Sequence, residues 1–393
     1  MQNFIRLAFK ITFLIGFLAI PFFGSAQAPS ISPGAEQIEK YLPLLKEKRV
    51  GVVAHAASQI YHNQNATHLI DSLLALKVDV VKIFAPEHGF RSREDNGALI
   101  KDKIDSLTQL PILSLHGKNK KPQPEQLQGI DLMVFDLQDV GARFYTYLST
   151  LHLIMEACAE NQIPLLVLDR PNPNGHYVDG PVMEAPYKSY LGMHSIPIVH
   201  GLTLGEFAHM ILGEQWLSAG IQCDLTVIKN KNYTHSSTYD LPVRPSPNLP
   251  NAKAVNLYPS LCLFEQTPIS VGRGTEKQFQ VYGHPELEGK YSFIPKPNFG
   301  AKNPKLKEKK CFGERLTNHP KLNQIQLQWL IDAYHQYPDK DHFFKSGFVK
   351  LAGTKTLQEQ IQKGWSEVQI RSSWEPQLSN FKSIREKYVL YPN

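Results

Sequence analysis

One stretch constrains this chain more than any other: GIDLMVFDLQDVGARFYTYLSTLHLIMEA, residues 129–157. Ile130 to Leu137 is a short apolar run of strand formers, and it gives way to Asp136, Gln138, Asp139 and Arg143 where an amphipathic segment begins. That is the pattern of a buried parallel strand delivering polar groups at its carboxyl end, and in open α/β sheets ligands bind in the crevice outside those ends. Two readings of the cluster stand: its members satisfy one another and a helix start, or they face a ligand. Repetition favours the second. Residues 78–85 run into APEHGFR (85–91) and residues 164–169 into DRPNPNG (169–175), so three strands end in dense polar clusters.

In chain order, RVGVVAH (49–55) reads as the first strand and 55–65 as the loop beyond it. Leu69, Leu73 and Leu76 share a helical face, 111–115 is another strand, and a long helix covers about 145–161. Strands and helices alternating with short connections specify an α/β fold, a Rossmann-like, doubly wound, mostly parallel sheet. No GxGxxG follows the first strand, which argues against a dinucleotide site. Thr203 and Glu206 form a capping box ahead of a helix over 203–219, and 223–229 is a further strand. Residues 244–275 are punctuated by proline and glycine, and their core segment 257–264 reads as too irregular for a helix. Beyond 275 the pattern changes to a smaller α+β part. It carries a basic loop at 300–310, read as a solvated turn, and helices near 323–336, 355–363 and 377–387. At 393 residues two domains are expected: a Rossmann-like catalytic domain over 27–275 and an auxiliary domain over 276–393 that completes the cleft.

Residues 1–26 read as a signal peptide. Arg6 and Lys10 precede an apolar run over 11–23, too short for a membrane span, followed by Gly24, Ser25 and Ala26. The expectation is an exported bacterial protein, periplasmic or secreted, with no membrane anchor after cleavage. The net charge of +6 comes without an arginine-rich arm or an aromatic–basic module, which argues against a nucleic-acid partner. Four dispersed cysteines without CxxC and fifteen histidines without HExxH offer no metal site. Cys158 reads as a buried thiol; one disulfide is compatible with the four cysteines, and spacing does not assign it. GxSxG and the protein-kinase motifs are absent from the sequence. What the chain offers instead is carboxyl groups. Glu87, Asp136, Asp139 and Asp169, with Arg170, fall at one sheet edge, and later loops add Glu265 and Arg273. Converging carboxyls suit general acid–base hydrolysis, including that of glycosides. Phe144, Tyr145 and Tyr147 either stack on a sugar or start a packed helix.

FAPEHGFR (84–91), FDLQDVGARFYTY (135–147), LDRPNPNG (168–175), DGPV (179–182), VHGLTLGEFA (199–208), PSPNLP (245–250) and SVGRGT (270–275) together resemble the bacterial exo-β-N-acetylmuramidase family over residues 48–390. The resemblance implies a Rossmann-like domain and an auxiliary domain with the active-site cleft between them. It implies cofactor-independent release of terminal N-acetylmuramic acid from peptidoglycan fragments or other muramic-acid-containing saccharides. The alternative is a non-catalytic cell-wall saccharide-binding protein. Glu87 is implied as the first catalytic carboxyl and Glu265 as the second. The substrate-binding candidates are His88, Asp136, Asp139, Arg143, Tyr145, Asp169, Arg170, Asn172, His200, Asn248 and Arg273. The chain departs from the family pattern at Gln266, where glycine is usual, at His55-Ala56-Ala57-Ser58, and at Ser92. Muramic acid differs from glucosamine by a lactyl carboxylate, which a guanidinium fork meets best. Of Arg143, Arg170, Arg244 and Arg273, the last stands between two glycines with no acid within two residues on its N-terminal side. Arg273 is therefore the favoured clamp, with Arg143 second.

Overall fold

The computed structural model describes residues 30–62, 65–87, 89–90, 102–117 and 119–393, with the backbone alone for His62. The expected leader, His88 and Ser92 lie outside the described residues. The strands, in chain order, are β1 (Arg49–Ala54), β2 (Gln59–His62), β3 (Asn65–His68), β4 (Asp79–Ala85), β5 (Lys103–Ile104), β6 (Pro111–Ser114), β7 (Leu132–Asp136), β8 (Leu165–Leu168), β9 (Leu225–Ile228), β10 (Val281–His284), β11 (Tyr291–Phe293) and β12 (Cys311–Arg315). The main sheet runs β5-β6-β4-β1-β7-β8-β9, parallel throughout except at the edge pair β5/β6. Leaving out β5, this is the 3-2-1-4-5-6 order of a doubly wound sheet, and the winding reverses between β1 and β7. Ala54 and Asp136 are register partners at that reversal, so the crevice opens just beyond the organising strand.

Alternation along the strands feeds two cores, because successive side chains point to opposite faces. Met133, Phe135, Leu165 and Val167 pack on one face with the helices Tyr147–Glu160 and Leu204–Gly213. Leu132, Val134, Leu166 and Leu168 pack on the other with Tyr41, Leu45, Leu69, Ile70 and Leu73. With both faces covered, all five residues of β7 are buried, which is why the run reads as continuously apolar. The later part of the chain has a separate antiparallel sheet, β10-β12-β11, and the helices Gln328–Gln336, Phe348–Ala352, Thr356–Gln362 and Glu367–Arg385. Its tail returns to the main sheet: the Tyr391 hydroxyl donates to Asp169 Oδ2 at 2.6 Å and the Leu390 N–H to Glu206 Oε1 at 2.8 Å.

The structure confirms the Thr203–Glu206 capping box, but its helix ends at Gly213, and Gln215 then turns the chain at φ 55°. Three local expectations are corrected. Residues 55–65 are not simply loop: Gln59 to His62 pairs antiparallel with Asn65 to His68 in a local hairpin too short and polar to show periodicity. Residues 252–261 form a helix in spite of Pro259. Proline offers no N–H to the Val255 carbonyl four residues back. Asn174 Nδ2 takes that place at 3.0 Å and also donates to Val140 O at 2.9 Å. The basic stretch 300–310 is not uniformly solvated, because Lys305 turns inward onto backbone carbonyls. Cys158 is the buried thiol expected, and Cys223, Cys262 and Cys311 are buried free thiols as well. Among the described residues no helix is long and apolar enough to cross a membrane, and no group of three or more His, Cys, Asp or Glu side chains is placed to hold a metal ion.

Candidate active site

A cleft of about 180 Å³, opening to solvent, lies at the carboxyl edge of the main sheet. One wall comes from the strand-end loops: Glu87 follows β4, and Phe144, Tyr145, Thr146 and Tyr147 lead into the helix after β7. The other comes from the Asn174-supported helix and the segment after it and includes Tyr258, Cys262, Glu265, Gln266, Arg273 and Phe279, with Leu351 from further on. Its lining combines aromatic and aliphatic side chains with convergent polar groups, as a site for a small polar ligand does.

The two carboxyls have unlike partners. Glu87 is half-buried, and its Oε2 lies 3.5 Å from the Thr146 hydroxyl, which donates to it. Glu265 stands on the 3-10 turn Cys262–Gln266 and accepts from Arg273 Nε at 3.1 Å. Gly272 and Gly274, at φ 78° and 80°, let the backbone turn tightly on both sides of Arg273. The guanidinium lies over the Phe279 ring, 5.0 Å from its centroid, and its buried Nη1 has no hydrogen-bond partner among the described residues.

Beneath Glu87 runs a chain of oriented hydrogen bonds. The Gln138 backbone N–H, which can only donate, points at His55 Nε2 at 3.0 Å. A neutral ring accepting there carries its proton on Nδ1, which faces the Tyr147 hydroxyl at 3.1 Å. Tyr147 in turn lies 3.4 Å from the Glu87 carbonyl oxygen, and the Tyr145 hydroxyl donates to Pro245 O at 2.7 Å. His55, where the chain departs from the family pattern, thus orients one wall of the cleft.

Glu87, Glu265, Arg273 and Tyr145 are gathered in the cleft; the other described candidates are not among its lining residues. Asp136 and Arg170 form a buried two-pronged ion pair at 2.5 and 2.9 Å. Asp169 accepts from Arg170 N, Thr203 Oγ1, Gly205 N and the Tyr391 hydroxyl. Arg143 is buried with its guanidinium donating to the carbonyls of Pro181, Ile196, Leu351 and Ala352, and burial pushes its pKa down to about 9. Asn172 donates to Leu202 O at 2.8 Å, and Asn248 to Gly300 O at 2.8 Å. Asp139 accepts from Gly141 N at 2.6 Å and has His200 Nε2 3.8 Å away. Burial pushes the Asp139 carboxyl up to about 7 and the His200 ring down to about 3. These groups meet other groups of the protein rather than the cleft. Tyr258 and Phe279, by contrast, line it without any prior signal, since in sequence each is one aromatic among core residues.

The chain is 36% identical, over 93% of both chains, to a protein of Bacillus subtilis (strain 168) named peptidoglycan β-N-acetylmuramidase NamZ. Crystal structures of two DUF1343 family proteins from Bacteroides fragilis NCTC 9343 superpose with TM-scores of 0.86 and 0.80. They are 46% and 30% identical to it, covering 93% and 92% of this chain and all of each structure. The models of the N-terminal and C-terminal parts of exo-β-N-acetylmuramidase NamZ match residues 50–253 and 256–391, and the chain belongs to that family.

Proposed function

We propose that this protein is an exo-acting glycoside hydrolase that releases terminal N-acetylmuramic acid from peptidoglycan-derived saccharides. One observation carries the reading: a single cleft holds Glu87 and Glu265 in unlike settings, together with an arginine whose buried Nη1 has no partner among the described residues. Two carboxyls with different surroundings are what general acid–base cleavage of a glycosidic bond requires. Glu87 is assigned the general acid, giving its proton to the leaving sugar oxygen as that oxygen parts from the anomeric carbon. Glu265 is assigned the second carboxyl, on the side where the new bond to the anomeric carbon forms. Arg273, through Nη1, is assigned the lactyl carboxylate. The name of the Bacillus subtilis relative supports the substrate class. The leader read over residues 1–26 places the work outside the cytoplasm; intact mass of the exported protein should begin near Gln27, and a cytoplasmic species retaining residues 1–23 overturns that placement.

Purified protein offered a chromogenic N-acetylmuramide tests the activity. Release of the chromophore is expected. Tight binding without release replaces the enzyme with a saccharide-binding protein, and neither binding nor release removes the reading altogether.

A further inference from the structure

Lys305 departs furthest from what its sequence context suggests. It sits in GAKNPKLKEKK, yet its Nζ lies 2.8 Å from Thr267 O and Ile269 O, 3.0 Å from Phe264 O and 3.4 Å from Glu265 O. An ammonium has three N–H donors and no acceptor, so four carbonyls share it. All four belong to one short run that leaves the 3-10 turn Cys262–Gln266 and leads to Arg273. Phe264 O already accepts from the Thr267 N–H and Oγ1, so Lys305, from 36 to 41 residues away, adds to that cap and ties the Glu265, Thr267 and Ile269 carbonyls to it.

The delivery of Lys305 is also built. A Cβ on Gly274 would come within 2.7 Å of Pro304 Cγ, so the glycine beside Arg273 is what lets the Lys305 segment close against the loop. On the other side, the Lys345 N–H donates to Gln266 O at 3.0 Å. Burial pushes the Lys305 ammonium down to about 8, while the Glu265 carboxylate acts against that shift.

We propose that Lys305 is a positioning residue of the cleft: a covalently tethered cation that gathers the carbonyls of residues 264–269 and so sets Glu265 and Arg273 where the muramyl group meets them. The role of that pair toward substrate rests on the functional reading above. The gathering of the loop does not.

The test uses the full mature chain. Lys305→Met keeps the stem and removes the cation; hydrogen exchange read by mass spectrometry over residues 262–275, with kinetics on the chromogenic muramide, reports its effect. A cooperative melt is expected, with faster exchange confined to 262–275 and kcat lowered at least about tenfold, the scale set by small misplacements of catalytic groups. Lys305→Ala should be equally impaired and regain activity several-fold with n-propylammonium, but not with tetramethylammonium at equal ionic strength, which has no N–H to offer. Folded Lys305→Met with wild-type exchange and wild-type kcat overturns the proposal, as does equal rescue by both amines. Should both variants fail to fold, Lys305→Gln decides: its shorter amide keeps two N–H donors and loses the charge, so faster exchange over 262–275 with a lowered kcat is expected, and an unchanged kcat and exchange pattern counts against positioning. If wild type itself leaves the muramide intact, the functional reading fails, and the exchange comparison alone still settles whether Lys305 holds the loop.

Discussion

At the scale of single residues, the same side-chain types have different fates depending on what they can reach. Arg143 and Arg273 both stand in motif loops, but Arg143 gives both Nη groups to four carbonyls while Arg273 gives Nε to Glu265 and its Nη1 has no partner among the described residues. Two predictions follow from this level. Glu87→Gln keeps the shape of the side chain and removes the acid proton, so muramide turnover should fall roughly 10²–10⁴-fold, with melting unchanged. Near-normal turnover would remove Glu87 from the chemistry. Arg273→Lys keeps a cation near Glu265 but loses the fork. Muramide binding should weaken by roughly 1.5–3 kcal/mol, the usual contribution of a hydrogen bond to a charged group, and N-acetylglucosaminides should change little. An equal effect on both sugars in a titration series would reduce Arg273 to a support for Glu265.

At the scale of elements, the helix Ala252–Leu261 shows how one motif serves another. Pro259 deprives Val255 O of its helical partner, and Asn174, from the loop after β8, restores it while also holding Val140 O. Asn174→Ala should cost about 1–3 kcal/mol for each carbonyl left bare, read from urea unfolding. Pro259→Ala in that background supplies an N–H at the right place and should recover the Val255 share. If it recovers nothing, the Asn174 contact to the helix is not what stabilises it. The proline that makes this segment look irregular in sequence is tolerated because its missing donor comes from more than eighty residues earlier.

At the scale of the molecule, buried histidines couple stability to pH. His194 stacks on Trp216 at 4.5 Å and lies 3.0 Å from His152, and burial pushes its pKa down to about 2; His200 is pushed down to about 3 for the same reason. Each ring stays neutral in the fold while the unfolded chain takes up a proton below the ordinary value of 6.5, so each contributes stability that is lost as pH falls through that value. Asp139 acts oppositely. The fold retains a proton that the unfolded carboxyl sheds above 3.8, and its contribution declines as pH rises to about 7. Whatever its effect at neutral pH, His194→Gln should therefore flatten the loss of unfolding free energy between about pH 7 and about pH 4.5. An unchanged slope would mean that His194 titrates in the fold as it does in the unfolded chain.

The sequence by itself determined the layers of this protein. Continuous apolar runs at β1, β4, β7 and β8 must be covered on both faces, and a polar cluster after a buried strand must lie at its end, so the sheet, its helices and its crevice were legible, as was the capping box at Thr203. The combination of motifs made the family legible as well. Only the tertiary structure decided which polar groups face the cleft. Asp136 and Arg170 share the sheet edge with Glu87 but neutralise each other in the interior, and Lys305 stands in a run of lysines yet turns inward. The physical reason is that strand and helix periodicities arise from neighbours along the chain, whereas the partner of a buried charge or bare carbonyl comes from wherever the fold brings one within about 3 Å.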